Sequence, residues 1–165
     1  MLTHLLIMRH AKSSWDNEEL SDHERGLNAR GRKSADAIAR VLSAKNIAPD
    51  VIWSSDAQRT RETAERMIRI IPGAQNIFFN SEFYMASAEH VLELCQSAEE
   101  PNGRLLLLGH NPGWSILFEY FSGHAHRYPT GACGIFVRKN NKSDWLSPDA
   151  WQFKELLLPR DILGE

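Results

Sequence analysis

Two histidines of this chain each follow a short apolar segment, and that placement is typical of a ligand site. His10 ends the segment LLIMRH, and His110 ends the segment LLLLGH. Apolar segments without polar alternation are typical of strands that helices cover on both faces. Ligands bind at the carboxyl ends of parallel strands, so two neighbouring strands of this kind would direct both imidazoles into one cleft. A single isolated histidine is more often held by local hydrogen bonds.

Two arginines place positive charge where a phosphate group would bind. Arg9 precedes His10, and Arg59 lies in the first turn of the helix expected from SSDAQRTRETAE. Free N–H groups at a helix start and a planar guanidinium both bind phosphate oxygens. The alternative is a solvated helix face with ion pairs four residues apart. The pairs expected there are Glu62 with Arg66 and Arg61 with Glu65. Arg59 has no partner at this spacing.

Apolar segments and helical periodicities alternate along the chain, which is typical of βαβ units around a mostly parallel sheet. The predicted strands are residues 5–8, DVIWSS, NIFFN, RLLLLG and a closing hairpin of GIFVRK and WQFKELLL. The predicted helices are capped by Asn28, Asp56, Ser87 and Asn111. The polar segment of residues 11–28 is long enough to be a functional loop. The prediction is an α/β fold, a three-layer α/β/α sandwich with a C-terminal antiparallel hairpin.

Composition excludes several function classes. The chain has 165 residues, which is expected for a single domain spanning residues 1–165, and its 19 basic and 21 acidic residues give a net charge of −2. Neither nucleic acid nor a membrane is therefore an expected partner. No apolar segment approaches the ~18 residues needed to cross a bilayer, and no signal peptide is recognisable, which predicts a cytoplasmic protein. Cys95 and Cys133 are expected to be buried thiols.

Three motifs resemble those of the histidine phosphatase superfamily, whose fold is phosphoglycerate mutase-like. In order along the chain they are LLIMRHAKSSW, SSDAQRTRETAE and LLLLGHNPGWS. The short chain resembles the SixA-type phosphohistidine phosphatase branch, and the resemblance extends from Leu5 to the closing hairpin. Each motif falls where the periodicity independently places the end of a strand, so the match is more specific than a lone Arg-His pair.

The resemblance implies a role for each motif residue. His10 would be the nucleophile that accepts the phosphoryl group, Arg9 and Arg59 would bind the phosphoryl oxygens, and His110 would complete the pocket. Positioning and electrostatic stabilisation supply most of the catalysis in phosphoryl transfer, so neither a metal nor another cofactor is expected. Positive charge around a neutral imidazole disfavours its protonation and leaves a lone pair for attack.

Two further assignments also rest on the resemblance. Arg25, in SDHERGLNARGR, matches a basic position that would bind phosphate from the long loop; pairing with Glu24 or Asp22 is the alternative. Glu82, in NSEFYM, follows the third strand, where the family often places its general acid. An exposed loop carboxylate is the alternative for Glu82. Imidazole leaves more easily than an alkoxide, so hydrolysis of phosphohistidine needs less help from an acid.

These residues predict a metal-independent phosphatase with a covalent phosphohistidine intermediate on His10. The expected substrate is phosphohistidine in a protein, because the insertions that cap the pocket of larger members are missing, and inorganic phosphate is the expected product. A small phosphate ester is the alternative substrate. A non-catalytic phospho-binding module would not need an intact His10. A metal-dependent hydrolase using His10 and His110 as ligands would lack the strand-end aspartates that hard cations prefer.

Overall fold

The computed structural model describes residues 1–73 and 76–165. Within these residues the strands are β1 (Leu2–Arg9), β2 (Val51–Ser55), β3 (Asn76–Asn80), β4 (Gly103–Gly109), β5 (Cys133–Arg138) and β6 (Trp151–Leu157). The α-helices are α1 (Ala29–Ala44), α2 (Gln58–Ile70), α3 (Ala88–Gln96), α4 (Gly113–Ser122) and α5 (Pro159–Leu163). Short 3-10 turns follow β3, at Ser81–Phe83, and precede β6, at Pro148–Ala150.

One mixed sheet forms the centre of the molecule. Its strand order is β3-β2-β4-β1-β5-β6. The first four strands are mutually parallel, whereas β5 runs antiparallel to both β1 and β6. The mostly parallel sheet and its closing hairpin confirm the predicted fold class. The parallel strands also place the carboxyl ends of β1, β2 and β4 at one edge of the sheet.

Helices cover both faces of the sheet, which explains why the central strands are apolar throughout. Leu5 and Ile7 of β1 pack into a core with α3 and α4, while Leu6 and Met8 pack into a second core with α1 and α2. All four side chains are completely buried. Burial of one such side chain contributes about 1.5–3 kcal/mol, so β1 is held firmly from both sides.

The helix starts confirm two predicted caps and correct a third. The Asn28 side chain caps α1, and the Ser87 side chain caps α3. The prediction of Asp56 as the cap of α2 is wrong, because Ala57 occupies that position without a side-chain hydrogen bond. The carboxylate of Asp56 instead lies 2.9 Å from Nε2 of His23. The Asp56 carboxylate therefore contacts His23 of the long loop and does not cap the helix.

The start of α4 is displaced by one residue from the prediction. Pro112 is the N-cap of this helix, and Asn111 lies just outside it. Asn111 still supports the first turn, since its Oδ1 accepts a hydrogen bond of 3.2 Å from the Ser115 amide. At the other end Gly123 has a φ of +78°, the left-handed conformation that glycine adopts readily, and it ends the helix as predicted.

Ion pairing on α2 differs from the prediction. Neither Glu62–Arg66 nor Arg61–Glu65 forms an ion pair in the part of the chain that the structure describes. Arg66 instead makes a bidentate contact with Asp36 of α1, with its Nη2 donating over 2.8 Å. Glu62 accepts one hydrogen bond from the Leu27 amide of the long loop and one from the Gln58 side chain of α2 itself, and Arg61 donates to the carbonyl of Asp56. The charged side chains of α2 therefore have partners other than the predicted ion pairs.

Both cysteines, Cys95 and Cys133, are buried free thiols, as predicted. Burial raises the pKa of each thiol to about 12, which keeps both protonated. Among residues 1–73 and 76–165, no helix has the length and apolar character to span a bilayer.

Candidate active site

The strand register brings the two motif histidines together. Arg9 at the end of β1 is paired with Gly109 at the end of β4, so the next residues, His10 and His110, leave the sheet side by side. The His10 amide donates a hydrogen bond of 3.0 Å to the Gly109 carbonyl. The two imidazole centroids lie 5.2 Å apart. The expected convergence of the two histidines is therefore present.

A cavity of about 310 Å³ opens at this edge of the sheet. Five of the six predicted site residues line it: Arg9, His10, Arg25, Arg59 and His110. β1 and β4 supply the histidine pair, α2 supplies Arg59 from its first turn, and the loop of residues 11–28 supplies Arg25. Asp22, from the same loop, also lines the cavity.

His10 is held as a neutral imidazole with one free ring nitrogen. Its side chain is buried, and Nδ1 lies 2.6 Å from the Ala11 carbonyl oxygen. Because a carbonyl oxygen only accepts, Nδ1 carries the ring proton and Nε2 keeps its lone pair. Burial is the main cause that lowers the pKa of His10 to about 3; the hydrogen bond to Ala11 opposes it, and the nearby charges of Arg59 and Arg9 act in the same direction as burial.

His110 is buried still more deeply. Its Nε2 lies 2.8 Å from the hydroxyl oxygen of Ser55, at the end of β2. The edge of its ring meets Tyr84, with 5.4 Å between centroids. Burial lowers the pKa of His110 to about 2, with a smaller contribution from His10. Its Nδ1 is buried and has no hydrogen-bond partner in the described part of the protein.

Three arginines that line the cavity have unsatisfied donors. Arg9, Arg25 and Arg59 each have a buried Nε without a hydrogen-bond partner among the described residues. Their terminal nitrogens are anchored; Arg9 donates to the Tyr128 carbonyl over 3.1 Å, and Arg59 donates to the Asp22 carbonyl over 2.7 Å. Buried donors left without a partner are uncommon, and a bound anion is one group that satisfies them.

Asp22 is the pocket residue that sequence reasoning missed, since it was considered only as a partner of Arg25. Its Oδ1 accepts from Arg25 over 2.9 Å, and its Oδ2 accepts from Arg59 over 3.0 Å and from the Tyr84 hydroxyl. Burial raises the pKa of Asp22, but the hydrogen bonds from Tyr84, Arg25 and Arg59 outweigh it and hold the pKa well below the usual range. Asp22 is therefore an ionised carboxylate that orients two arginines.

Arg25 forms the predicted alternative pair with Asp22, and its role in phosphate binding stays a prediction. It pairs with Asp22 and also lines the cavity, while its Nη1 donates to the Ser13 hydroxyl over 2.8 Å. Its guanidinium lies 3.5 Å from the centre of the Trp15 ring, and Trp15 is 74% exposed. Stacking of a guanidinium on an aromatic ring is favourable. Arg25 therefore links three other residues of the long loop that line the cavity, Ser13, Trp15 and Asp22.

Glu82 does not reach the cavity. It lies in the 3-10 turn after β3, its side chain is 61% exposed, and its Oε1 is 3.4 Å from Nε2 of His90. The turn is closed by Asn80, whose side chain accepts a hydrogen bond from the Glu82 amide and so fixes the local backbone. Met85 is the residue of this segment that lines the cavity. The geometry does not support the assignment of Glu82 as general acid.

In the described ranges, 1–73 and 76–165, no three His, Cys, Asp or Glu side chains come together in a way that could hold a metal ion. His10 and His110 meet at the ends of β1 and β4. Asp22, which also lines the cavity, is bound by Arg25 and Arg59.

Comparison with known proteins identifies the family. Residues 5–74 match the histidine phosphatase superfamily (branch 1). An uncharacterized chloroplastic protein of Arabidopsis thaliana is 31% identical over 170 residues, which cover 94% of this chain and 77% of that protein. This chain belongs to the histidine phosphatase superfamily. Membership supports phosphatase activity, with a phosphorylated substrate and inorganic phosphate as product.

Solved structures of this histidine phosphatase fold confirm the resemblance to the SixA branch. A protein of Agrobacterium tumefaciens assigned as the phosphohistidine phosphatase SixA superimposes with a TM-score of 0.81 and 28% identity, covering 96% of this chain and 99% of that one. A protein histidine phosphatase SixA complexed with tungstate gives a TM-score of 0.77 with 17% identity and covers 96% of this chain and 99% of that one. At this lower identity the second similarity shows the fold alone.

Proposed function

We propose that this histidine phosphatase removes the phosphoryl group from phosphohistidine in a protein, through a covalent intermediate on His10. The observation that carries the proposal is the protonation state of two side chains that line the cavity, His10 and Asp22. His10 presents an unprotonated Nε2, whereas Asp22, the carboxylate that lines the cavity, is held ionised by two arginines. This combination favours a substrate whose leaving group needs no proton from the enzyme.

In the first step, Nε2 of His10 attacks phosphorus in line with the bond from phosphorus to the substrate imidazole. The new P–N bond forms as the old one breaks. When the second ring nitrogen of the substrate carries a proton, the leaving group is a neutral imidazole and no general acid is required. An alkyl phosphate would release an alkoxide, which needs a proton as it departs. An ionised Asp22 cannot supply that proton.

The arginines stabilise the charge that develops on the transferred group. Arg9, Arg25 and Arg59 all line the cavity, and their guanidinium groups would bind the phosphoryl oxygens. Nδ1 of His110 is a fourth unsatisfied position beside them, and it would donate to a phosphoryl oxygen in the tautomer that carries its proton there. Preorganised donors of this kind supply most of the catalysis in phosphoryl transfer.

In the second step, water attacks phosphorus and the bond to His10 breaks. The two hydrogens of the water remain on the product, which leaves as dihydrogen phosphate, and His10 returns to its neutral form with the proton still on Nδ1. The guanidinium groups provide the positive charge that metal ions provide in many other phosphatases. We therefore propose that the reaction is independent of metal ions.

The relatives support this assignment. The structural match to the Agrobacterium tumefaciens protein that is assigned as a phosphohistidine phosphatase covers 99% of that protein. The SixA protein bound to tungstate, an oxyanion, shares the fold. An anion-binding pocket at the ends of β1, β2 and β4 is consistent with both.

A turnover assay with trapping of the intermediate tests the proposal. Phosphohistidine peptide, a sugar phosphate and an alkyl phosphate are compared in the presence of a chelator, and the enzyme is quenched in base, in which phosphohistidine survives. We expect the highest kcat/KM on the peptide and base-stable phosphate on wild-type protein but not on His10→Ala. A preference for the sugar phosphate would indicate the small-ester alternative. Phosphate binding without turnover would indicate a binding module.

A further inference from the structure

A second cavity of about 290 Å³ adjoins the catalytic cavity and is strongly basic. Four of its lining residues are cationic: Lys12, Arg30, Arg127 and Arg160. No aspartate or glutamate from the described residues is part of the lining. The whole chain carries a net charge of −2, so this concentration of positive charge is a local property of the groove. We call it the basic groove.

The basic groove is continuous with the catalytic cavity. Lys12 and Thr130 line both of them. Gly131, next to Thr130, is joined to the catalytic cavity by its amide, which donates a hydrogen bond of 2.8 Å to the carbonyl of His10. The shared lining therefore places the groove beside the position at which a phosphoryl group would meet His10.

The cations of the groove suit several carboxylates better than a single phosphate. Lys12, Arg127 and Arg160 are exposed and spread around the rim. A phosphate site instead needs donors that converge on one point, as the catalytic cavity provides. The rest of the lining includes an apolar patch of Pro129, Leu158 and Pro159. Dispersed cations beside an apolar patch are features that an extended peptide can use along its length.

Two carboxylates of this chain already contact groove cations. Glu165 forms an ion pair with Arg30, and both side chains are partly exposed. Arg160 has a looser contact of 3.7 Å with Asp161. Arg127 and Lys12 form no ion pair with any residue in 1–73 or 76–165. The groove thus accepts carboxylates and retains unpaired positive charge.

We propose that the basic groove binds an acidic segment of the phosphoprotein substrate while the phosphohistidine of that substrate occupies the catalytic cavity. The proposal rests on the proposed function, because it assumes a protein substrate. It predicts that acidic residues near the phosphohistidine lower KM, whereas the chemistry at His10 is unaffected.

Direct binding tests the groove independently of catalysis. The probe is a fluorescein-labelled, unphosphorylated glutamate-rich peptide, with its glutamine counterpart as the neutral probe. We expect wild-type protein to bind the acidic probe and the double variant Arg127→Ala/Arg160→Ala to bind it about tenfold more weakly, since exposed cations each contribute modestly. The matched control is Arg40→Ala/Arg69→Ala, which removes two exposed arginines outside the groove and should bind as wild type does.

Kinetics then connect the groove to the substrate. Two phosphohistidine peptides that differ only in flanking glutamate or glutamine are compared with free phosphohistidine. For wild type we expect about tenfold higher kcat/KM on the acidic peptide, through KM, and loss of this advantage between about 50 and about 300 mM NaCl because salt screens exposed charges. The groove variant should lose the advantage at low salt while its kcat/KM on free phosphohistidine is unchanged.

The two proposals fail in different ways. Equal binding of the acidic and neutral probes, or equal weakening in the groove and control variants, would overturn the docking proposal even if the peptides are hydrolysed. Failure to hydrolyse any phosphohistidine compound would overturn the proposed function, while the binding assay would still decide whether the groove holds an acidic peptide. Stronger binding of an oligonucleotide than of the acidic probe would assign the groove to nucleic acid and overturn the peptide proposal.

Discussion

The catalytic cavity and the surface around His90 contain the same types of residue in opposite environments. In the cavity, His10 and His110 are 6% and 1% exposed. On the surface, the side chain of His90 is 41% exposed and lies between Glu82 and Glu93 at 3.4 and 3.5 Å. Burial lowers the pKa of the cavity histidines, whereas solvent screens the contacts of the exposed one.

This contrast shows that a histidine beside a carboxylate is not in itself a reactive site. In the cavity, His10 and His110 are buried and each has one ring nitrogen in a hydrogen bond, so Nε2 of His10 keeps a free lone pair beside two arginines. At His90, the partners are exposed side chains on the surface, and exposed ion pairs contribute about 0–1 kcal/mol. The substitutions below separate these two environments.

The largest effect is expected for His10, the proposed nucleophile. His10→Ala should lower kcat/KM on phosphohistidine peptide by about 1,000-fold or more, because the proposed covalent route would be removed while the fold is retained. His90→Ala is the matched control and should retain wild-type activity. Steady-state kinetics with circular dichroism as a check on folding measure both. Activity of His10→Ala within about tenfold of wild type would contradict the assignment.

The second effect concerns two arginines of the same helix. Arg59→Lys should lower kcat/KM by about 10–100-fold, because an ammonium cannot replace the planar fork that contacts Asp22 and that we propose binds the phosphoryl group. Arg66 makes a similar bidentate contact with Asp36 but lies outside the cavity. Arg66→Lys should therefore leave kcat/KM within about twofold of wild type. Similar losses in the two variants would show that the effect is structural.

The third effect is on stability as a function of pH. Unfolded His110 has its ordinary pKa of 6.5, whereas the folded pKa is about 2, so the unfolded state binds the proton first as the pH falls. The folded protein should therefore lose stability below pH 6.5, by up to about 1.4 kcal/mol per pH unit for this group. Urea unfolding at a series of pH values measures the slope.

His110→Gln should make that slope shallower, because the substituted side chain does not titrate. His124→Gln changes an exposed histidine and should leave the slope as in wild type. Parallel slopes for wild type and His110→Gln would mean that burial of His110 does not control the acid sensitivity. Both variants are compared at equal ionic strength, so that screening does not differ between them.

The smallest effect is expected at the surface. Glu82→Gln should change kcat/KM by less than about twofold on both phosphohistidine peptide and an alkyl phosphate, because its exposed carboxylate contacts His90 and not the cavity. The ratio of the two losses, measured on one variant, cancels any effect on folding. A large loss confined to the alkyl phosphate would restore Glu82 as the general acid.

Local sequence was sufficient to place the central machinery. Unbroken apolar segments before His10 and His110 identify buried strands, and the carboxyl ends of parallel strands meet at one edge of a sheet. Because Arg9 directly precedes His10 in the sequence, its place at the same strand end is also predicted. The position of Arg59 in the first turn of α2 follows from the strand–turn–helix pattern. These strand and helix positions could be predicted because each depends on the hydrophobic periodicity of a few neighbouring residues. That periodicity is a property of the local sequence and does not depend on which distant segments pack against it.

Only the tertiary structure decided how the charged side chains pair. Asp22 bridges Arg25 and Arg59, although Arg59 is 37 positions further along the chain. Arg66 forms its ion pair with Asp36 of α1 and not with a residue of its own helix. Long polar side chains reach whichever neighbour the packing brings close, and several candidates lie within reach along any helix. Sequence therefore determined the backbone positions of the catalytic groups, and packing between distant segments determined their electrostatic partners.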